Sequence, residues 1–298
     1  MTAERCISGR RVSMDLRRKT LFIYGVSLLC ILVTFWAITQ LIVLGSFVAL
    51  EEQTTSQNLN RFMNAIQEDR SGLETSVRAW APRDDTYTFM RDRNAKYIEM
   101  NFGNETFLNR RISFLVFANA TGQIFYARAF DLQRGVEVAL PPLVGDMVSG
   151  NPALRTFNQT NSSTTGIMVL SDGPVMFASA PITTSDYTSV VRGTLVAGRY
   201  LDDAEIQRIA RLTSLQVQLL PASSGEVPAE VRSTFTSGGG AGGILIQPRP
   251  DNTIAGYTVI RDLYDTPAVV ARTEMTRTIY SRGVATLQFF LLCFVALV

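Results

Sequence analysis

Two patterns of apolar positions divide this chain. Residues 21–50 form an uninterrupted run with no charged side chain, ~45 Å long as a helix against the ~30 Å hydrocarbon core of a bilayer. The run predicts a transmembrane helix, because the apolar core of a cleaved signal peptide would be about half as long and end at a small-residue site. A second apolar run, VATLQFFLLCFVALV, begins near Gly283 and reaches Val298. It falls short of the ~20 residues that a spanning helix needs. It therefore predicts a second, incomplete transmembrane helix in a chain that continues through the membrane into a cytoplasmic part. A helix that only dips into the bilayer or packs on the domain is the alternative.

Beyond the first run the pattern becomes amphipathic. Leu59, Phe62, Ile66, Leu73, Val77 and Trp80 recur at helical spacing with polar residues between them, which predicts a stalk helix over 51–79. Such a stripe serves either a seam with a second copy of the chain or the helix's own domain, and too few heptads are present to choose. Pro82 predicts the helix end, since the residue before a proline avoids the α region. A short helix follows through Tyr97 and Asn101, and after Arg111 the texture changes to strands. ISFLVFA and QIFYARAF flank the turn-forming residues 119–122 and read as a hairpin. GIMVLS and PVMFASAPI are joined by Asp172 and Gly173, a strong two-residue hairpin signal. RGTLVAGRYL reads as a strand leading into a helix whose start, Asp202 with Glu205 three residues on, resembles a capping box. LQVQLL, TIAGYTVIRDL and AVVARTEM are further strands, and the glycine-rich residues 237–243 are a loop. Strands in hairpins with helices gathered around them predict an α+β domain on an antiparallel sheet.

Charge sets the expected orientation. Arg5, Arg10, Arg11, Arg17, Arg18 and Lys19 stand against Glu4 and Asp15 before the first run, which favours a cytoplasmic N-terminus. The overall charge of +2 thus reflects a topology signal and implies no nucleic-acid-binding face. The expected layout is a basic tail at 1–20, a transmembrane helix at 21–50, a stalk at 51–79, an outside domain at 80–282 and a second membrane helix at 283–298. Cys6, Cys30 and Cys293 all lie outside the expected domain, so it relies on its core and not on disulfides. Asn104, Asn119, Asn158 and Asn161 head Asn-x-Ser/Thr sequons in the same segment, which fits glycosylation where the host has the machinery.

The chain has no histidine, so the commonest general base and metal ligand is missing and no metal site or cofactor is expected. No nucleophile elbow or phosphate-binding loop occurs. Asp84 and Asp85 are adjacent on a turn, where capping suits them better than paired catalysis. No enzyme is expected within these residues. An anchored hydrolase is the least favoured reading, requiring carboxylates to converge.

WAPRDDTYTFMRDRNAKYIEMNF followed by ISFLVFANATGQIFYA resembles the fourth class of CHASE domains, extracellular sensory domains associated with cyclases and histidine kinases. The matching residues are Trp80, Ala81, Asp84, Asp85, Thr86, Tyr87, Phe89, Tyr97, Ile98, Asn101 and Gly122, and the likeness extends to about Gly283. Arg83 stands where the family usually has a second Trp, and Ala79 where an Asp is common. The resemblance implies a periplasmic or extracellular sensor with a PAS-like or Cache-like fold between two membrane helices, and a kinase or cyclase output beyond the chain. A small ligand is expected near Trp80, Arg83, Asp84, Asp85, Tyr87, Tyr97 and Asn101, with a homodimer through stalk and membrane helices transmitting its binding. The same aromatic residues serve equally as core. A module answering to a partner protein or to membrane stress is the rival reading.

Overall fold

The computed structural model describes residues 16–38, 42–213, 215–236 and 243–297. They fall into two compact units, residues 54–276 and residues 1–53 with 277–298.

The larger unit begins within helix α2, Leu44–Trp80. Its stripe of Leu59, Phe62, Ile66, Leu73 and Val77 is buried to 4% exposure or less. Burying each such side chain contributes roughly 1.5–3 kcal/mol, and here the chain's own sheets supply the cover. The stripe therefore belongs to the domain core, which resolves the choice left open by its spacing. Three short helices follow, α3 Asp84–Asp92, α4 Ala95–Asn101 and α5 Asn104–Arg110. They lead into a six-stranded antiparallel sheet of β1 Phe114–Asn119, β2 Ile124–Asp131, β3 Val136–Val138, β4 Thr164–Leu170, β5 Gly173–Ile182 and β6 Gly193–Tyr200, in the order β3-β2-β1-β6-β5-β4.

Both faces of this sheet are covered. Leu115, Phe117, Ala178, Leu195 and Ala197 point to the side of α2 to α5. Phe114, Val116, Val175, Phe177 and Val196 point to the other side, against Val144, Met147 and Val148 of α6 Pro142–Gly150 and Leu154 of a one-turn 3-10 helix. Alternate residues of a strand face opposite ways, so a strand covered on both sides reads as the continuous apolar run seen at 114–118. Phe114 pairs with Gly198 across the ladder, and a Cβ on Gly198 would fall 2.0 Å from the Phe114 ring. Only glycine admits that close approach.

A second, four-stranded antiparallel sheet holds β7 Val217–Pro221, β8 Ile244–Pro248, β9 Thr253–Arg261 and β10 Pro267–Thr276 in the order β7-β10-β9-β8. Helix α7 Asp203–Thr213 connects the two sheets, and α8 Ala229–Thr236 lies over the second with Val231 and Phe235 buried. The single expected sheet is thus two. Strands β3 and β8 and helices α5 and α8 are additions that short or weakly periodic segments do not announce, and the expected turn at Asp84 and Asp85 is the start of helix α3. The β4–β5 loop is Ser171–Asp172, one residue earlier than expected, because Gly173 at φ 139° already pairs with Leu170. Residues 237–242 of the glycine-rich loop lie outside the described residues.

The smaller unit contains α1 Leu16–Ile38, the first turns of α2, and α9 Thr278–Leu297. The expected single helix over 21–50 is divided between α1 and α2. Among the described residues, α1 is the one helix long and apolar enough to cross a membrane, and none of its residues is buried. Glu51 is buried and accepts a 2.8 Å bond from Arg277 Nε, whose guanidinium lies 4.1 Å over Tyr280. A buried carboxylate without such a partner would be strongly disfavoured.

Candidate functional site

Helix α2 ends at Trp80, and Pro82 turns the chain into α3. Two carboxylates occupy the first turn of α3, where the helix dipole favours them. Asp85 accepts from Arg83 Nη2 at 2.7 Å and from the Thr86 amide at 2.8 Å. Asp84 accepts from the Ser185 amide at 3.1 Å and its hydroxyl at 3.0 Å, tying α3 to the β5–β6 loop. Thr86 is fully buried and its hydroxyl donates to the Trp80 carbonyl at 2.7 Å. That leaves its oxygen to accept from the Tyr97 hydroxyl at 2.6 Å. Burial pushes the Tyr97 phenol up to about 12.

The seven residues expected at a ligand site therefore share a neighbourhood while doing different work. Trp80 and Tyr97 belong to a chain of rings, Trp80 meeting Phe102 at 5.2 Å, Phe102 meeting Tyr97 at 5.8 Å, and Tyr97 meeting Phe89 at 5.0 Å. Asn101 donates to the Tyr97 carbonyl at 2.9 Å and closes α4. Tyr87 is covered by the Arg192 guanidinium, 3.8 Å above its ring. Arg83, Asp84 and Asp85 stand at the surface and organise the entry to α3. None of the seven lines the cleft next to them.

That cleft, of about 310 Å³, opens between α3, α4 and strands β2 and β3. Its floor is Phe89, Ile98, Phe125 and Tyr126, and its rim carries Arg93, Glu99, Arg128 and Glu137. Phe89 joins floor to core, meeting Phe117 at 5.1 Å, Tyr126 at 5.7 Å and Phe125 at 5.8 Å. Arg93 ends α3 in the left-handed region at φ 53°, its amide donating to the Phe89 carbonyl at 3.0 Å and its guanidinium 4.5 Å over Phe125. Arg128 is bound to Glu137 at 2.6 Å, to Asn104 at 2.8 Å and to the Phe102 carbonyl. An apolar floor with a few fixed polar groups is the general form of a small-molecule site.

A second cluster is centred on two buried side chains. Arg199 of β6 and Glu205 of α7 are 4% and 3% exposed. Arg199 donates to Asp69 of α2 at 2.8 Å, to Glu205 at 3.1 Å, and to the carbonyls of Arg110 and Arg111. Arg111 and Arg208 also bind Glu205, and Arg208 reaches Asp69. Burial alone would raise the Glu205 carboxyl, but the bonds from Arg111 and Arg208 and the Arg199 charge outweigh it and hold it below the usual range. Sequence reasoning took Glu205 for a capping residue. Its amide is indeed capped by Asp202 at 2.9 Å, while its carboxylate belongs to this knot. The available signals were an arginine inside an otherwise apolar strand and an aspartate set between Ile66 and Leu73 of the stripe.

Fold and cleft together define a sensory module. A family model for the CHASE4 domain matches residues 65–220, and the chain belongs to the CHASE4 domain family. Helix α1, long and apolar enough to cross a membrane, fits a membrane-anchored sensory protein with this domain outside the membrane. The chain is similar to the methanogenesis regulatory histidine kinase FilI of Methanothrix harundinacea (strain 6Ac), with 28% identity over 276 residues, 92% of this chain. The chain spans 30% of the length of that relative. Among solved structures, the extracellular domain assigned to histidine kinase vpHK1S-Z8 matches with a TM-score of 0.52 at 12% identity, covering 78% of this chain and 95% of that one. A domain of a sensory box/GGDEF family protein from Vibrio parahaemolyticus matches with a TM-score of 0.51 at 12% identity, covering 77% and 98%. At such identities the likeness concerns the fold alone.

Proposed function

We propose that the chain is the ligand-sensing, membrane-anchored part of a sensor histidine kinase. The observation that carries this reading is the aromatic-floored cleft of residues 89–137, which falls within the segment matched by the family. The relative's name supports a kinase output beyond these residues. The basic residues before α1 support a cytoplasmic N-terminus, and the apolar character of α9 supports a second membrane helix.

The coupling route is physical and short. A ligand on Phe89 and Phe125 bears on Tyr97, then on Phe102 and Trp80 through ring contacts, while the Thr86 hydroxyl links the Tyr97 hydroxyl to the Trp80 carbonyl. Trp80 is the last residue of α2, so occupancy shifts the long helix and biases a two-state homodimer. Trp80, Tyr97 and Asn101 act as the wall behind the cleft. Arg83, Asp84, Asp85 and Tyr87 hold α3, which forms one of its sides.

The test is a thermal-shift screen of the full chain in lipid nanodiscs against amino acids, organic acids, amines and sugars. A ligand that binds the native state alone raises the melting temperature by mass action. A dose-dependent rise with one chemical class, lost in Phe125→Ala, supports the reading. A folded protein that answers to no class overturns the small-ligand part.

A further inference from the structure

The rim of the cleft is charged, and its charges are unequally engaged. Arg128 and Glu137 neutralise one another, and Arg128 also donates to Asn104 and the Phe102 carbonyl. Arg93 and Glu99 make no ion pair among the described residues, and both are exposed. A guanidinium and a carboxylate thus face the same small volume with no ion-pair partner among the described residues. Arg93 is also preset, because the α3 cap fixes its backbone and the Phe125 ring holds its head group. A cation over an aromatic face keeps its charge available to an anion beside it.

We infer that the cleft takes a small zwitterion, an α-amino acid with an apolar or aromatic side group, its carboxylate toward Arg93, its ammonium toward Glu99 and its side group on Phe125 and Tyr126. A simple anion would meet Arg93 and be opposed by Glu99. A simple amine would meet the reverse. A ligand without an apolar group would leave the ring floor wet, and a much larger one would exceed 310 Å³, the small end of such pockets. The inference rests on the sensory reading of this cleft and adds the ligand's class.

The experiment measures binding of four probes to the full chain in nanodiscs by calorimetry and thermal shift. They are L-phenylalanine, phenylacetate without the ammonium, phenethylamine without the carboxylate, and glycine without the side group. Phenylalanine binds, and each truncated probe binds about tenfold or more weakly, as loss of one charge-assisted bond or one buried ring requires. Arg93→Gln and Glu99→Gln each weaken phenylalanine by a similar factor, and melting curves without ligand check that both variants fold. In Arg93→Gln the gap between phenylalanine and phenethylamine closes. Phenylacetate binding as tightly as phenylalanine, or Arg93→Gln binding phenylalanine like the parent, overturns the assignment. If a different class raises the melting temperature and Phe125→Ala abolishes that rise, the zwitterion is excluded while the sensory reading stands. If no compound binds the folded protein, both fall.

Discussion

The knot around Arg199 and the cleft beside Phe89 use similar residues to opposite ends. In the knot three arginines and two carboxylates meet around a buried centre, the multiply bonded pair of Arg199 and Glu205. In the cleft two arginines and two carboxylates stand over an apolar floor, and one member of each sign is unengaged. Desolvation explains the contrast. A buried charge must be paired or the fold fails, whereas an exposed charge over an apolar surface stays solvated until a ligand replaces its water. The knot joins α2, β6 and α7 and is architectural. The cleft has capacity to spare.

The sharpest way to break this contrast is Arg199→Ala. It leaves the buried Glu205 and the partly exposed Asp69 short of a cation and is expected to cost about 3–5 kcal/mol, read in denaturant melts of the chain. The same melts carry a pH signature. The Glu205 carboxyl is held below its unfolded value, so its contribution is present above the ordinary carboxylate range and is lost as pH falls through that range toward the folded value. The parent should therefore lose stability on acidification from about pH 6 to about pH 3, and Arg199→Ala should lose less over the same window. An equal acid dependence in both proteins would remove Glu205 from the account.

Tyr97→Phe is a milder test at the boundary between core and cleft. It deletes one buried hydrogen bond and should cost about 1 kcal/mol, because Thr86 keeps its bond to the Trp80 carbonyl. The parent should also hold the Tyr97 phenol protonated well above pH 10, to about 12. The unfolded chain releases that proton earlier, so stability falls with rising pH between those values, and Tyr97→Phe should flatten the fall in alkaline melts.

The smallest effect is expected from Asp85→Ala. Its pair with Arg83 is about half exposed, with side-chain accessibilities of 44% and 42%, and such pairs contribute at most about 1 kcal/mol. Ligand-induced thermal shifts should persist in this variant. Their loss with stability unchanged would move the site from the cleft to the start of α3.

Much of the architecture was legible in advance. The apolar run, the amphipathic stripe, the stop before Pro82 and the 119–122 turn, where Gly122 has φ 91°, each follow from local rules of charge, periodicity and turn chemistry. The α+β class was readable in the same way, and the stretch around Trp80 by its resemblance to the CHASE family. The cleft was approached only from one side, because the helix through Tyr97 and Asn101 was visible, whereas α3 was read as a turn, β3 with Glu137 was not read at all, and Phe125, Tyr126 and Arg128 arrive on a strand with nothing to mark them out.

By itself, then, the sequence determined which faces seek burial, where the chain turns, and that charged and aromatic residues lie together in the sensory segment. It did not determine what covers each face. Asp69 and Arg199 meet across 130 positions, and no periodicity records which distant cation neutralises a given carboxylate. The division of the strands into two sheets, the assignment of the α2 stripe to the domain's own core, and the isolation of Arg93 and Glu99 from any ion pair were decided only by the closed tertiary structure. Local sequence rules act over a few residues, whereas pairing, desolvation and cover depend on whichever groups the fold finally brings together.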